Sequence, residues 1–144
     1  MKVLDVNVVL PGHRQDHPDH ETARHWLNEL WSRKEHFTVP WSVWWSFLRL
    51  TTDTRISAVP TPLDEATRFT SAVRARPGDI TADAVSQEHL DHLYAVCEAG
   101  EATGSLMPGA ALAALAQEHG GEVISFDRGS GRFPDLRWRT PAES

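Results

Sequence analysis

The residues best able to do chemistry are two aspartates, each at the end of an apolar run. Asp5 follows Lys2-Val3-Leu4 and has Asn7 two residues on; Asp127 follows Val123-Ile124-Ser125-Phe126. Paired carboxylates can hold a hard divalent cation such as Mg²⁺ or Mn²⁺, or act as general acid and base. Between them the segment Met107-Pro108-Gly109-Ala110-Ala111-Leu112-Ala113-Ala114-Leu115-Ala116 reads as a helix that opens with Gly109. An acid at that helix start would complete a cation-binding cluster. Glycine supplies neither a ligand nor a water bridge from a side chain. Two acids still suffice for Mg²⁺ where waters and a phosphate fill the other positions.

Other reactive residue types carry less. His13, His17, His20 and His25 invite a zinc reading, and His17 and His20 have the spacing of a helical pair, but no cysteine lies near them. Ser125 and Ser130 flank Asp127 with no histidine base nearby in sequence. Trp41, Trp44 and Trp45 crowd one short segment. They read as core packing or a partner-covered surface, with an aromatic wall for a planar organic ligand as the alternative.

The elements that must position these residues follow from periodicity. Residues 2–6 read as a buried strand. A helix starts at His17-Pro18-Asp19, with Ala23, Trp26, Leu27 and Leu30 on one apolar face. Phe37-Thr38-Val39 is a short strand ending at Pro40. Residues 41–51 form a helix that is apolar nearly all round and therefore buried on most sides or packed on a partner. Thr61-Pro62-Leu63-Asp64 predicts a helix start with Thr61 as N-cap, and that helix runs to about Arg76 before Pro77-Gly78. Residues 79–82 form a short strand. Ser86 caps a helix bearing Leu90, Leu93, Tyr94 and Cys97, and residues 99–105 form a loop. The helix from Pro108 stops at Gly120-Gly121. Strand 122–127 and an edge strand, Leu136-Arg137-Trp138-Arg139, complete the chain. Strands alternating with helices predict an α/β fold, a mostly parallel sheet with helices on both faces, and a site beyond the carboxyl ends of the strands.

The 144 residues suit one domain, 1–144, with 40% hydrophobic and 24% charged residues. A single cysteine excludes an internal disulfide and fits a reducing cytoplasm. No signal peptide or membrane span is expected. A net charge of −6 argues against broad electrostatic capture of nucleic acid, although Arg49 and Arg55, and Arg128, Arg132, Arg137 and Arg139, form local basic clusters.

Several segments in order, Leu4-Asp5-Val6-Asn7-Val8-Val9-Leu10, His13-Arg14-Gln15-Asp16-His17-Pro18, Val43-Trp44-Trp45-Ser46-Phe47-Leu48-Arg49-Leu50-Thr51-Thr52, Pro108-Gly109-Ala110-Ala111-Leu112-Ala113-Ala114-Leu115-Ala116 and Ser125-Phe126-Asp127-Arg128, carry a family resemblance. With Pro60-Thr61-Pro62-Leu63-Asp64-Glu65-Ala66 and Arg132-Phe133-Pro134-Asp135-Leu136-Arg137-Trp138, it spans nearly the whole chain. The chain resembles PIN-domain proteins of the VapC toxin type. The resemblance implies an α/β/α sandwich, a Mg²⁺- or Mn²⁺-dependent endoribonuclease, a cognate antitoxin and a homodimer. It implies that Asp5 and Asp127 hold the metal, with Asn7 and Ser46 beside them orienting water or phosphate. Arg128, Arg49 and Trp45 are then the RNA contacts. Gly109 stands where the family has an aspartate, and Gly129-Ser130 where active members often read Asp-Phe.

The leading expectation is thus a VapC-like ribonuclease with a reduced metal site. One alternative is a PIN fold that has lost nuclease activity and uses the old crevice, without a metal, for a small organic ligand or another reaction. A second is a non-catalytic decoy that binds an antitoxin through the tryptophan-rich helix.

Overall fold

The computed structural model describes residues 1–83 and 86–143. Four short strands, β1 (Lys2–Leu4), β2 (Phe37–Thr38), β3 (Glu122–Ile124) and β4 (Trp138–Arg139), form one sheet in the order β2-β1-β3-β4. Every pairing is parallel: Val3 lies opposite Thr38 on one side and Val123 on the other, and Ile124 opposite Arg139. Among the described residues six α-helices flank the sheet: α1 (Val6–His13), α2 (His20–Ser32), α3 (Trp41–Thr52), α4 (Leu63–Arg74), α5 (Gln87–Gly100) and α6 (Met107–Glu118). The expected α/β class and parallel sheet are borne out.

The central pair matters most. β1 and β3 are fully buried at Val3, Leu4, Val123 and Ile124, or nearly so. Their ladder is extended by Asp5 N–H donating to the Ile124 carbonyl at 3.0 Å. The chain leaves β1 toward β2 on one side and reaches β3 on the other, so the strand order reverses between them. Crevices form at such reversals beyond the strand ends.

The structure departs from the sequence reading in specific places. The first strand ends at Leu4, and Asp5 instead caps α1, its carboxylate accepting the Val6 N–H. Helix α1 was not expected, because β-branched valines followed by Pro11-Gly12 have poor helix propensity. Tertiary packing overrides it: Val8, Val9, Pro11 and Gly12 are buried. A Cβ on Gly12 would come within 2.4 Å of Leu27 Cδ1, so the missing side chain lets α1 and α2 approach. Helix α2 starts at His20, three residues later than read, and buries Ala23, Trp26, Leu27 and Leu30 as expected.

Helix α3 is not buried on most sides. Val43, Trp44 and Phe47 face the core, whereas Trp45 is 70% exposed. Trp44 packs edge-on against Phe47 and Phe69, and the half-buried Trp41 ring sits under Arg74. Residues 79–82 form no strand; a single bridge joins Asp79 to Phe37, and Asp83 then caps α3 by accepting the Trp41 N–H. On α5, Ser86 is the expected cap, but Leu90 and Tyr94 face solvent and the helix continues through Gly100. Strand β3 is shorter than read, and β4 holds the expected edge.

Thr61 does not cap α4, which begins at Leu63 behind Pro62. Its hydroxyl is drawn into a network around the buried Arg14. Arg14 donates to Asp16 through Nε and Nη2, to the Val59 carbonyl at 2.7 Å, and to Thr51 and Thr61 Oγ1. The guanidinium fork thereby ties the end of α1 to both sides of the α3–α4 connection. Arg14→Ala strands several of these acceptors, and the expected loss is at least about 2 kcal/mol of unfolding free energy, measured by urea denaturation.

Candidate active site

The site is built on the carboxyl ends of β1 and β3. Ser125, fully buried just past β3, is its hub. Its hydroxyl accepts N–H groups from Asn7 Nδ2 and from the Asp127 backbone, both at 3.0 Å. With both lone pairs taken, its one proton points to Asp5 Oδ2 at 2.7 Å. The Asp5 carboxylate also accepts the Val6 N–H at 2.7 Å. Asn7 is fixed in turn: Oδ1 accepts the Phe126 N–H at 3.0 Å, which sets the amide orientation.

Asp127 follows this knot and is exposed. Its Oδ1 accepts the Gly129 N–H at 2.8 Å, which starts the 3-10 turn Arg128–Arg132. The two carboxylates sense one another. Burial pushes the Asp5 carboxyl above its ordinary 3.8, the Ser125 and Val6 hydrogen bonds pull it back, and the negative charge of Asp127 raises it further.

Asp5 lines a cavity of about 450 Å³. Its walls come from α3 (Ser42, Val43, Ser46) and from the start of α6 (Met107, Pro108, Ala111, Leu112). Gly109 sits in the first turn of α6 but lies outside that lining. A Cβ there would meet only the Phe133 ring, at 3.8 Å. An acid is therefore sterically acceptable at position 109, and a helix start favours one. Gly129 differs, since a Cβ there would come 2.9 Å from Asp127 Oδ1.

The sequence of residues 2–136 matches the PIN domain. The chain belongs to the PIN-domain family. It is 43% identical to Ribonuclease VapC25 of Mycobacterium tuberculosis over 98% of this chain and 99% of that protein. Its fold matches the VapBC2 complex of Rickettsia felis bound to a promoter DNA fragment, with TM-score 0.66, 13% identity and coverage of 96% and 97% of the two chains. It also matches FitAcB of Neisseria gonorrhoeae, with TM-score 0.61, 17% identity and full coverage of both.

In this PIN domain the sequence-predicted residues separate into groups. Asp5, Asn7 and Asp127 meet around Ser125, and Ser46 shares the cavity with Asp5. Trp45 and Arg49 lie on the exposed face of α3. Arg128 is exposed and ion-paired with Glu143 at 3.0 Å. The four histidines do not converge: His13 meets Thr61, His17 accepts the Asp19 N–H and His20 meets the Pro11 carbonyl. Among the described residues no group of three or more His, Cys, Asp or Glu side chains could hold a metal by itself. Zinc, which needs three or four protein ligands, does not fit. Two mutually repelling carboxylates with oxygen donors do fit a hard divalent ion that keeps its waters.

The sequence reading weighed Ser125 only as a nucleophile and missed its role as the bridge between Asp5, Asn7 and Asp127. Its partners lie 118 and 120 positions away. The available signal was its place between the strand and Asp127. Ser125→Ala leaves the Asn7 amide and the Asp127 N–H unpaired, and the expected cost is about 1–3 kcal/mol by urea denaturation.

The Asp5 shift sets a pH dependence. A carboxyl whose folded pKa is raised contributes its full stability below the unfolded value and loses it as pH rises through the folded value. The parent is therefore expected to lose stability relative to Asp5→Asn as pH climbs above 3.8 in the absence of metal. Urea melts of both proteins between acid and neutral pH measure that slope.

Proposed function

We propose that this chain is a metal-dependent endoribonuclease of the VapC type, working with a reduced set of acids. The observation that carries the reading is the Asp5–Ser125–Asn7–Asp127 knot at the head of a PIN fold, together with 43% identity to a VapC ribonuclease along nearly the whole chain. That degree of likeness favours the nuclease over the repurposed-crevice and decoy alternatives.

Asp5 and Asp127 are the residues that would hold Mg²⁺ or Mn²⁺. When bound, the ion supplies an activated water and offsets charge developing on the phosphate. The protein's own part is positional. Ser125 and the Val6 N–H fix the Asp5 carboxylate, and the Gly129 N–H fixes one oxygen of Asp127. Asn7 braces the two strand ends, since both ends of its amide are engaged. Ser46 faces the cavity with a hydroxyl available for water or phosphate. Arg49, Trp45 and Arg128 contact the RNA.

The same reading includes a cognate antitoxin, a homodimer and action in the cytoplasm. Two structural neighbours come from complexes, VapBC2 bound to a DNA fragment from its promoter and FitAB bound to a DNA fragment. No helix among the described residues is long and apolar enough to cross a membrane.

The test is RNA cleavage by purified protein in millimolar Mn²⁺. The expected result is cleavage that disappears with chelator and with Asp5→Ala. Absence of cleavage from the parent on any RNA would sink the proposal. Gly109→Asp is expected to raise the rate by roughly 10–100-fold, the scale on which supporting carboxylates act at metal sites. An unchanged rate would mean that position 109 does not serve the site.

A further inference from the structure

Ser42, Trp45, Ser46 and Arg49 lie at i, i+3, i+4 and i+7 along α3. Residues at that spacing share one helix face, and here the face spans about 10 Å. Its composition is unlike the buried side of the same helix: two hydroxyls, one tryptophan and one cation. Among the described residues the Ser42 and Ser46 hydroxyls have no protein partner, and both line the cavity that Asp5 also lines. Met107, Pro108, Ala111 and Leu112 of α6 add apolar lining to the same cavity. Trp45 is 70% exposed and stacks on no other ring.

An apolar slot with a few hydrogen-bonding groups suits a flat heterocycle with polar edges. A hydrated ion needs none of these walls, and a base pair within a duplex cannot present its faces to them. An unpaired nucleobase can, because its faces take apolar and aromatic contacts while its edge meets hydroxyls. We propose that the slot between α3 and α6 is a nucleobase subsite for the base flanking the cleaved phosphate. Trp45 stacks the neighbouring base, and Ser42 and Ser46 meet the edge of the inserted one. Arg49, at the far end of the stripe, contacts the next phosphate. The inference rests on the nuclease reading for the position of the cleaved phosphate, but base binding itself requires no metal. Because one cation serves the stripe, stacking outweighs charge, and a single phosphate contact gives a shallow salt slope of about −0.7.

The experiment measures anisotropy of fluorescein-labelled ten-nucleotide RNAs, oligo(A) and oligo(U), alone and annealed, with the protein in chelator. Single strands are expected to bind at least tenfold more tightly than the duplex. Trp45→Ala is expected to weaken single-strand binding on the order of 5- to 150-fold, with Trp45→Phe keeping most of it. A paired Ser42→Ala, Ser46→Ala variant is expected to change the ratio of oligo(A) to oligo(U) affinity. No binding to either strand, equal binding to duplex, or indifference to Trp45→Ala overturns the subsite. Trp45-dependent binding without Mn²⁺ cleavage would sink the nuclease reading and leave the subsite standing. Cleavage with an unchanged KM in Trp45→Ala would do the reverse.

Discussion

A serine hydroxyl has one proton and two lone pairs, and at Ser125 all three are committed. The lone pairs take N–H groups from Asn7 and Asp127, and the proton goes to Asp5. The direction of every bond is therefore fixed, and so is the orientation of the carboxylate. This arrangement is possible only because β1 and β3 are adjacent and parallel, in the register that sets Leu4 beside Ile124. A shift of one residue would carry Ser125 to the other face of the sheet. The register of two three-residue strands thus sets the geometry of the candidate site, and the burial of Val3, Leu4, Val123 and Ile124 holds that register.

Such a knot has an energetic consequence. Asp5 is held as an acceptor in surroundings that disfavour its charge, beside another acid. The groups that hold it are neutral dipoles, not cations. No arginine is among the groups that act on it: Arg14 is closed in its own network and Arg128 is paired with Glu143. A site left electrostatically strained in this way gains most from a cation that arrives from solution. Poor pairing in the free protein and the proposed affinity for a hard divalent ion would then have one cause.

What could be read from the sequence was set by local rules. An acid ending an apolar strand, a serine before a helix, and a Gly-Gly stop are all decided within a few residues, and Asp5, Ser86 and Gly120-Gly121 behaved as those rules imply. The misreadings occurred where a distant partner decided. Val6–His13 is helical because it packs between other helices, despite Pro11 and Gly12. Thr61 has the local pattern of a cap, but a buried arginine and Thr51 compete for its hydroxyl. Ser125 is legible only once β1 and β3 are known to be neighbours. Three tryptophans in one helix read as core packing or a partner-covered surface, and the helix divides them: Trp44 is buried and Trp45 is turned to solvent.

The two glycines in the acid-poor site are physically unequal. At Gly109 the space a side chain would need is open, and the backbone is ordinary helix, so a side chain fits there without displacing a neighbour. At Gly129 the missing Cβ is part of the present arrangement. Asp127 folds its Oδ1 onto the Gly129 N–H, and any Cβ there would crowd that oxygen to 2.9 Å. Adding a side chain at 129 would shift the Asp127 carboxylate, one of the two acids that remain. The first change adds to the site without disturbing it, while the second moves what is already there. The site is better understood as a smaller arrangement adjusted around two acids than as a four-acid site with two members deleted.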